Sequence, residues 1–233
     1  MEAKDRLIVA LDVPSAEEAR SLIETLGDSV GVYKVGLELL FAGGFALAEE
    51  LARKRRPVFI DAKLSDIEAT VERATAAIAR AGASFLTVHA LDAKTLKAAV
   101  RGRGDSALKL LGVTVLTNLE PADLIEQGID HPLPDVVKHR TALAREAGLD
   151  GVIASGREAA EIRRDAGSDF LIVTPGVRQA DSAAQDQARA VTPEQAIKAG
   201  ADYLVVGRPI TRAADPRKAA DAVVAEIAEA LSR

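Results

Sequence analysis

Val58-Phe59-Ile60-Asp61-Ala62-Lys63-Leu64-Ser65-Asp66 carries two patterns at once. Val58, Ile60, Ala62 and Leu64 form an apolar set at every second position, and Phe59, Asp61 and Lys63 fill the places between. A strand with period two sends these sets to opposite faces. A wholly apolar face needs cover, which helices of a parallel sheet supply. The other face, with two opposite charges, suits the inside of a barrel, where Asp61 and Lys63 pair near the C-terminal strand end.

The same reading extends outward. In the run 7–13, Leu7, Val9 and Leu11 alternate with Ile8, Ala10 and Asp12. Lys34 alternates with Tyr33 and Val35, and His89 shares a face with Phe85 and Thr87. Further apolar runs at 110–116, 151–155, 170–174 and 203–207 join those at 7–13, 32–36, 58–64 and 85–90. Ala-, Glu- and Arg-rich stretches separate them. Ile67, Val71, Ala74, Ile78 and Ala81 fall on one face of a helix. Ser15 with Glu18 and Thr192 with Gln195 have the spacing of capping boxes. Pro193 and Pro216 suit first helical positions, and Gly82, Gly148 and Gly200 suit left-handed helix ends.

Strand then helix, repeated in this way, predicts an α/β fold, the closed parallel (β/α)8 or TIM barrel. A doubly wound open sheet is the runner-up, disfavoured by the regular spacing and the lack of a Gly-rich fingerprint. No linker divides the chain, so residues 1–233 read as one domain. The gap 117–150 predicts an extra short helix, and 178–191 a long loop.

Composition narrows the function classes. Of 233 residues, 48% are hydrophobic, 30 are basic and 35 acidic, for a net charge of −5. There is no Cys, which removes disulfides, thiolate chemistry and Cys-based metal sites. A negative chain without a basic block argues against duplex nucleic acid. Five Phe, two Tyr and no Trp argue against a platform for stacking single-stranded bases. No stretch reaches the roughly 20 apolar residues of a membrane span. A cytoplasmic protein is expected, with neither nucleic acid nor membrane as partner.

Asp12, Lys34, Asp61, Lys63 and His89 therefore converge at the end of a barrel where active sites form. The plain alternative is a buried polar network that sets strand register. His89 by itself reads as a satisfied core residue and stays outside the candidate site. Asp66 completes Asp-x-Lys-x-x-Asp. A Lys flanked by carboxylates stays protonated, fit to stabilise developing negative charge and deliver a proton, and unfit for Schiff-base formation. Later, Arg178 follows Thr174-Pro175-Gly176-Val177, and Val206-Gly207-Arg208-Pro209 ends the eighth run. Barrels bind phosphate after strands seven and eight, and Arg supplies forked donors for it. Solvated arginines beside turn glycines are the competing explanation.

These residues, with LIVALDVP, YKVGLELL, FIDAKLSDI, GVTVLTNL, GVIASG, LIVTPGVR and DQARAVTPEQAIKAGADYLVVGRPIT in that order, resemble the orotidine 5′-phosphate decarboxylase family over nearly the whole chain. The resemblance implies cofactor-independent loss of CO2 from orotidine 5′-phosphate to give UMP, the last step of de novo pyrimidine nucleotide synthesis. It implies that Lys63 protonates C6 of the pyrimidine, with Asp61 beside the substrate carboxylate. Asp66 and Thr70 would reach the neighbouring subunit's site in a homodimer. Asp12 and Lys34 would hold ribose hydroxyls, and Thr117 and Asn118 would approach the pyrimidine edge. Arg178, Gln187, Gly207 and Arg208 would grip the phosphate. No metal or cofactor is implied. Two segments depart from the common family pattern: Glu68-Ala69 within 65–70, and Leu91-Asp92-Ala93 after His89-Ala90. The rival is a metal-dependent sugar-phosphate decarboxylase or aldolase on the same barrel.

Overall fold

The computed structural model describes residues 1–178 and 191–232. Eight strands close into one parallel barrel in sequence order: β1 (Leu7–Ala10), β2 (Val32–Gly36), β3 (Val58–Leu64), β4 (Phe85–His89), β5 (Lys109–Val113), β6 (Gly151–Ile153), β7 (Leu171–Pro175) and β8 (Tyr203–Val206). The last strand pairs with the first, Leu7 opposite Leu204 and Val9 opposite Val206. No open edge is left for the runner-up sheet.

Helices fill the connections: α1 (Ala16–Leu26), α2 (Leu37–Leu39), α3 (Phe45–Arg53), α4 (Glu68–Arg80), α5 (Ala93–Arg103), α6 (Pro121–Glu126), α7 (Leu133–Ala147), α8 (Ala159–Ala166), α9 (Pro193–Lys198), α10 (Arg208–Thr211) and α11 (Pro216–Ser232). The short α6 is the extra helix expected between strands five and six. The caps follow the sequence chemistry. Thr192 and Gln195 form a reciprocal box at α9. At α1 the Ser15 hydroxyl accepts from Glu18 N–H, the half of the box that closes the first turn. Asp92 caps α5, accepting from Thr95 N–H at 2.8 Å.

Two apolar layers follow the alternation. Leu7, Val9, Tyr33, Val35, Val58 and Ile60 belong to the layer shared with the helices. Ile8, Ala10, Val32, Phe59, Phe85, Leu111, Val173 and Val205 fill the interior. Phe85 meets Phe59 edge-on at 6.0 Å and Tyr203 at 5.2 Å, so the interior is a packed plug rather than a pore.

The N-terminal end of the barrel is locked by two carboxylates. Asp150 accepts from Arg103 at 2.7 Å, Lys109 at 2.9 Å and the Leu110 amide at 2.9 Å. Asp202 accepts from Arg163 at 2.6 Å and the Ile172 amide at 2.8 Å. Each Asp stands just before one strand and satisfies an amide in its neighbour. Arg163 also donates to the carbonyls of Gly167, Phe170 and Gly200.

Candidate active site

The alternation does not run unbroken to the end of β3. Register with β4 shifts between Ile60 and Leu64, and Lys63 takes a left-handed φ of 48°. A non-glycine residue there costs roughly 1–2 kcal/mol, which the surroundings must offset. The shift is braced by Thr87 on β4. Its hydroxyl accepts from the Lys63 amide at 2.9 Å and donates to Asp61 Oδ1 at 2.9 Å. Lys63 Nζ then meets the same oxygen at 2.8 Å. Backbone distortion and ion pair are thus one construction.

From there the charges run across the barrel. Lys34 Nζ lies 3.3 Å from Asp61 Oδ2 and 3.0 Å from Asp12 Oδ1. Burial works against the carboxylate of Asp61, but Lys34 and Lys63, with hydrogen bonds from Lys63 and Thr87, hold its pKa below the usual Asp range. Burial also opposes the charge on Lys34, yet Asp61 and Asp12 outweigh it and hold its ammonium above the usual Lys range. Gly36 makes room: a Cβ there would stand 2.8 Å from Lys34 Nζ and 2.9 Å from Asp12 Oδ1.

These groups line a cleft of about 670 Å³ at the C-terminal strand ends. That volume suits a small ligand. Phe59, Ala10 and Val205, part of the interior plug, belong to the lining. Thr117 and Asn118 line it after β5, with Val113, Val115, Ile153 and Val177 supplying aliphatic wall. Arg178, Gly207 and Arg208 line the side formed by β7 and β8. A Cβ on Gly207 would approach Ala10 Cβ at 3.6 Å and Asp12 Oδ2 at 3.9 Å, so the bare backbone keeps that part of the cleft open. The Arg178 amide donates to the Val191 carbonyl at 3.0 Å, which fixes the two ends of the intervening segment. Gln187 lies outside the described residues.

Asp66 and Thr70 are not brought to this cleft. Asp66 is exposed, and its carboxylate accepts from the amide of Ile67 at 2.6 Å. Within the single chain Lys63 is therefore flanked by one carboxylate, Asp61, rather than by two. Asp66 lies exposed beyond the end of β3, so within one chain the spacing Asp-x-Lys-x-x-Asp does not make one cluster. His89 is half-buried and outside the cleft lining. Burial, then Lys63 and Arg140, hold its imidazole below the ordinary His range.

Sequence reasoning missed Thr87, Gly36, Glu38 and Arg212. Thr87 was on the interior face but carries no charge to draw notice. Gly36 ends the strand that bears Lys34, a position where tight approach needs glycine. Glu38 and Arg212 line the cleft just beyond β2 and α10. Among the described residues no group of three or more His, Cys, Asp or Glu side chains is arranged to hold a metal ion.

The sequence relatives agree with the geometry. The chain is 55% identical over 228 residues to an orotidine 5′-phosphate decarboxylase of Caulobacter sp. (strain K31), covering 98% of this chain and 99% of the relative. It is 53% identical over 227 residues to one of Rhodopseudomonas palustris (strain BisB5), covering 97% and 96%. The crystal structure of orotidine 5′-phosphate decarboxylase from Lactobacillus acidophilus superposes with a TM-score of 0.83 at 37% identity, covering 95% of this chain and 98% of that one. These relatives bear the nucleotide enzyme's name, and they give the sugar-phosphate rival no support. The model of the orotidine 5′-phosphate decarboxylase / HUMPS family matches residues 5–223. With a closed barrel, a lysine held by a buried aspartate at its mouth and relatives of this kind along its length, the chain belongs to that family.

Proposed function

We propose that this protein decarboxylates orotidine 5′-phosphate to UMP and CO2 without a cofactor, residues 1–233 acting as one barrel domain. The observation that carries the reading is the charged run Asp12–Lys34–Asp61–Lys63 lining the cleft, with Lys34 and Asp61 buried at its centre. Loss of CO2 breaks the C6–carboxylate bond and leaves its electron pair on C6, in the ring plane. An ammonium already in place stabilises that charge with no reorganisation at the moment of reaction. Lys63 Nζ then transfers a proton to C6 and regains one from solvent. Asp61 keeps the lysine aimed, and Lys34 in turn holds Asp61.

Binding follows the lining. Asp12 and Lys34 serve the ribose hydroxyls, and Thr117 and Asn118 the pyrimidine edge. Arg178, Gln187, Gly207 and Arg208 serve the phosphate. Phosphate contacts far from C6 supply binding energy that organises the reacting end.

Asp66 and Thr70 are read as reaching the site of a second copy of this chain. Exposed apolar side chains stand on the same end of the barrel: Phe41 is 89% exposed and Ile67 72%, with Leu37 and Leu91 also exposed. All four follow β2, β3 or β4 on the end of the barrel that bears the cleft. A homodimer covering this face would bury them and complete both sites. No helix among the described residues is long and apolar enough to cross a membrane. A cytoplasmic enzyme of nucleotide synthesis, acting on neither membrane nor nucleic acid, is the setting we propose.

The test is the decay of orotidine 5′-phosphate absorbance with purified protein and excess chelator. Full turnover with chelator is expected. Activity that needs an added divalent metal, or no activity, would sink the reading.

A further inference from the structure

The cleft carries two charges for which the proposed chemistry has no use. Arg212 is exposed, lines the cleft, and follows Arg208 by one helical turn, its amide donating to the Arg208 carbonyl at 3.1 Å. Its guanidinium has no hydrogen-bond or ion-pair partner among the described residues. Glu38 is also exposed, lines the cleft just after β2, and is likewise without an ion-pair partner. In the barrel order, β8 and β2 flank β1, so the two charges stand on either side of it.

The other cleft-lining charges on the β1–β3 side are already compensated. Lys34 is shared by Asp12 and Asp61, and Lys63 is paired with Asp61. Among the described residues, the mouth therefore presents positive charge on the β8 side and negative charge on the β2 side. The protein as a whole carries −5, which repels an approaching anion. A cleft with low-dielectric walls focuses the field of its local charges and raises the arrival rate of a complementary ligand.

We propose that Arg212 and Glu38 form an orienting charge pair at the mouth, one that draws in the phosphate end of a nucleoside monophosphate toward α10 and turns it away from β2. This rests on the decarboxylase reading. It assigns neither residue a contact with bound substrate: Arg212 acts before docking, and Glu38 penalises the reversed approach. Both groups are exposed, so their influence is screened over about 10 Å at 0.1 M salt. A solvated arginine at a helix end and a solvated surface glutamate would have no such effect.

The experiment measures kcat and kcat/KM of the parent, Arg212→Gln, Glu38→Gln and the double variant across ionic strength. At low salt, Arg212→Gln is expected to lower kcat/KM about threefold and Glu38→Gln to raise it about twofold. Both differences should vanish at high salt, with kcat unchanged throughout. Variants that match the parent at low salt would overturn the pair. A loss in Arg212→Gln that persists at high salt would overturn it too, marking a direct phosphate ligand instead. Inactivity of the parent enzyme on orotidine 5′-phosphate overturns the decarboxylase reading and this one together; active parent and unaltered salt slopes overturn this one alone.

Discussion

The two ends of the barrel use ion pairs differently. At the N-terminal end, Asp150 and Asp202 each accept from a strand amide as well as from basic side chains. Their charges are spent on backbone donors, guanidinium groups and the Lys109 ammonium. At the C-terminal end, Asp61 accepts from one ammonium and one hydroxyl on Oδ1 and faces a second ammonium with Oδ2, and the lysine it aims sits in a left-handed backbone. There the pairing holds a charge ready beside an open cleft. The same bond type ties strand amides together at one end and holds a left-handed lysine beside the cleft at the other.

That contrast breaks most visibly at Lys63. Lys63→Ala should lower kcat by about 10⁴-fold or more, because proton donor and charge stabiliser disappear together. The urea midpoint should barely move, since Asp61 keeps Lys34 and Thr87. Near-parental turnover would erase the distinction between the ends. Arg208→Ala should follow, with a loss of about 100-fold or more in kcat/KM from the missing charge-assisted hydrogen bonds. Steady-state kinetics with both orotidine 5′-phosphate and the free nucleoside would check this, since the nucleoside should be insensitive.

Ile67→Asp sharpens the comparison from outside the cleft. It should shift the protein toward monomer in sedimentation velocity and lower specific activity in parallel, most strongly at low protein concentration. A monomeric variant with full activity would remove Asp66 and Thr70 from the site.

At the other end the signs reverse. Asp202→Ala leaves Arg163 and the Ile172 amide short of an acceptor and should cost about 2–3 kcal/mol, or roughly 5–10 °C in Tm. The surviving folded enzyme should keep its kcat. A loss of kcat with unchanged Tm would mean that the ends are coupled rather than separate.

The smallest effect is in pH. Asp61 has a lowered pKa, so its stabilisation is complete above the unfolded value near 3.9 and drains away as pH falls through the lower folded one. Lys34 has a raised pKa, so its share is complete below about 10.4 and is lost as pH rises through the higher folded value. Urea midpoints should be flat from these two groups across neutral pH. Asp61→Asn should soften the acid limb; an acid limb of the parent's steepness in that variant would refute the assignment.

Much of this was legible in the sequence, for a physical reason. Period-two alternation is a strand's own property, so Leu7 and Val9 against Ile8 and Ala10 revealed both layers of β1 without any tertiary knowledge. Lys34 and Asp61 were legible because a charge on an otherwise apolar strand has few places to go. The register shift at Lys63 was not, since it depends on Thr87 from the next strand. Asp66 looked like a neighbour of Lys63 by spacing alone, although it stands exposed beyond the strand end. Glu38 and Arg212 were hidden because exposed charges follow no period.

The ring contacts Phe59–Phe85–Tyr203 have a practical consequence. With no Trp in the chain and only Tyr33 as a second phenol, Tyr203 is a built-in optical reporter of the barrel interior. It sits two edge-on contacts away from a ring that lines the cleft. Near-ultraviolet dichroism would follow the packing beneath the cleft without an introduced label, and burial, which holds the Tyr203 phenol above the usual Tyr range, keeps that signal unionised well into alkaline solution.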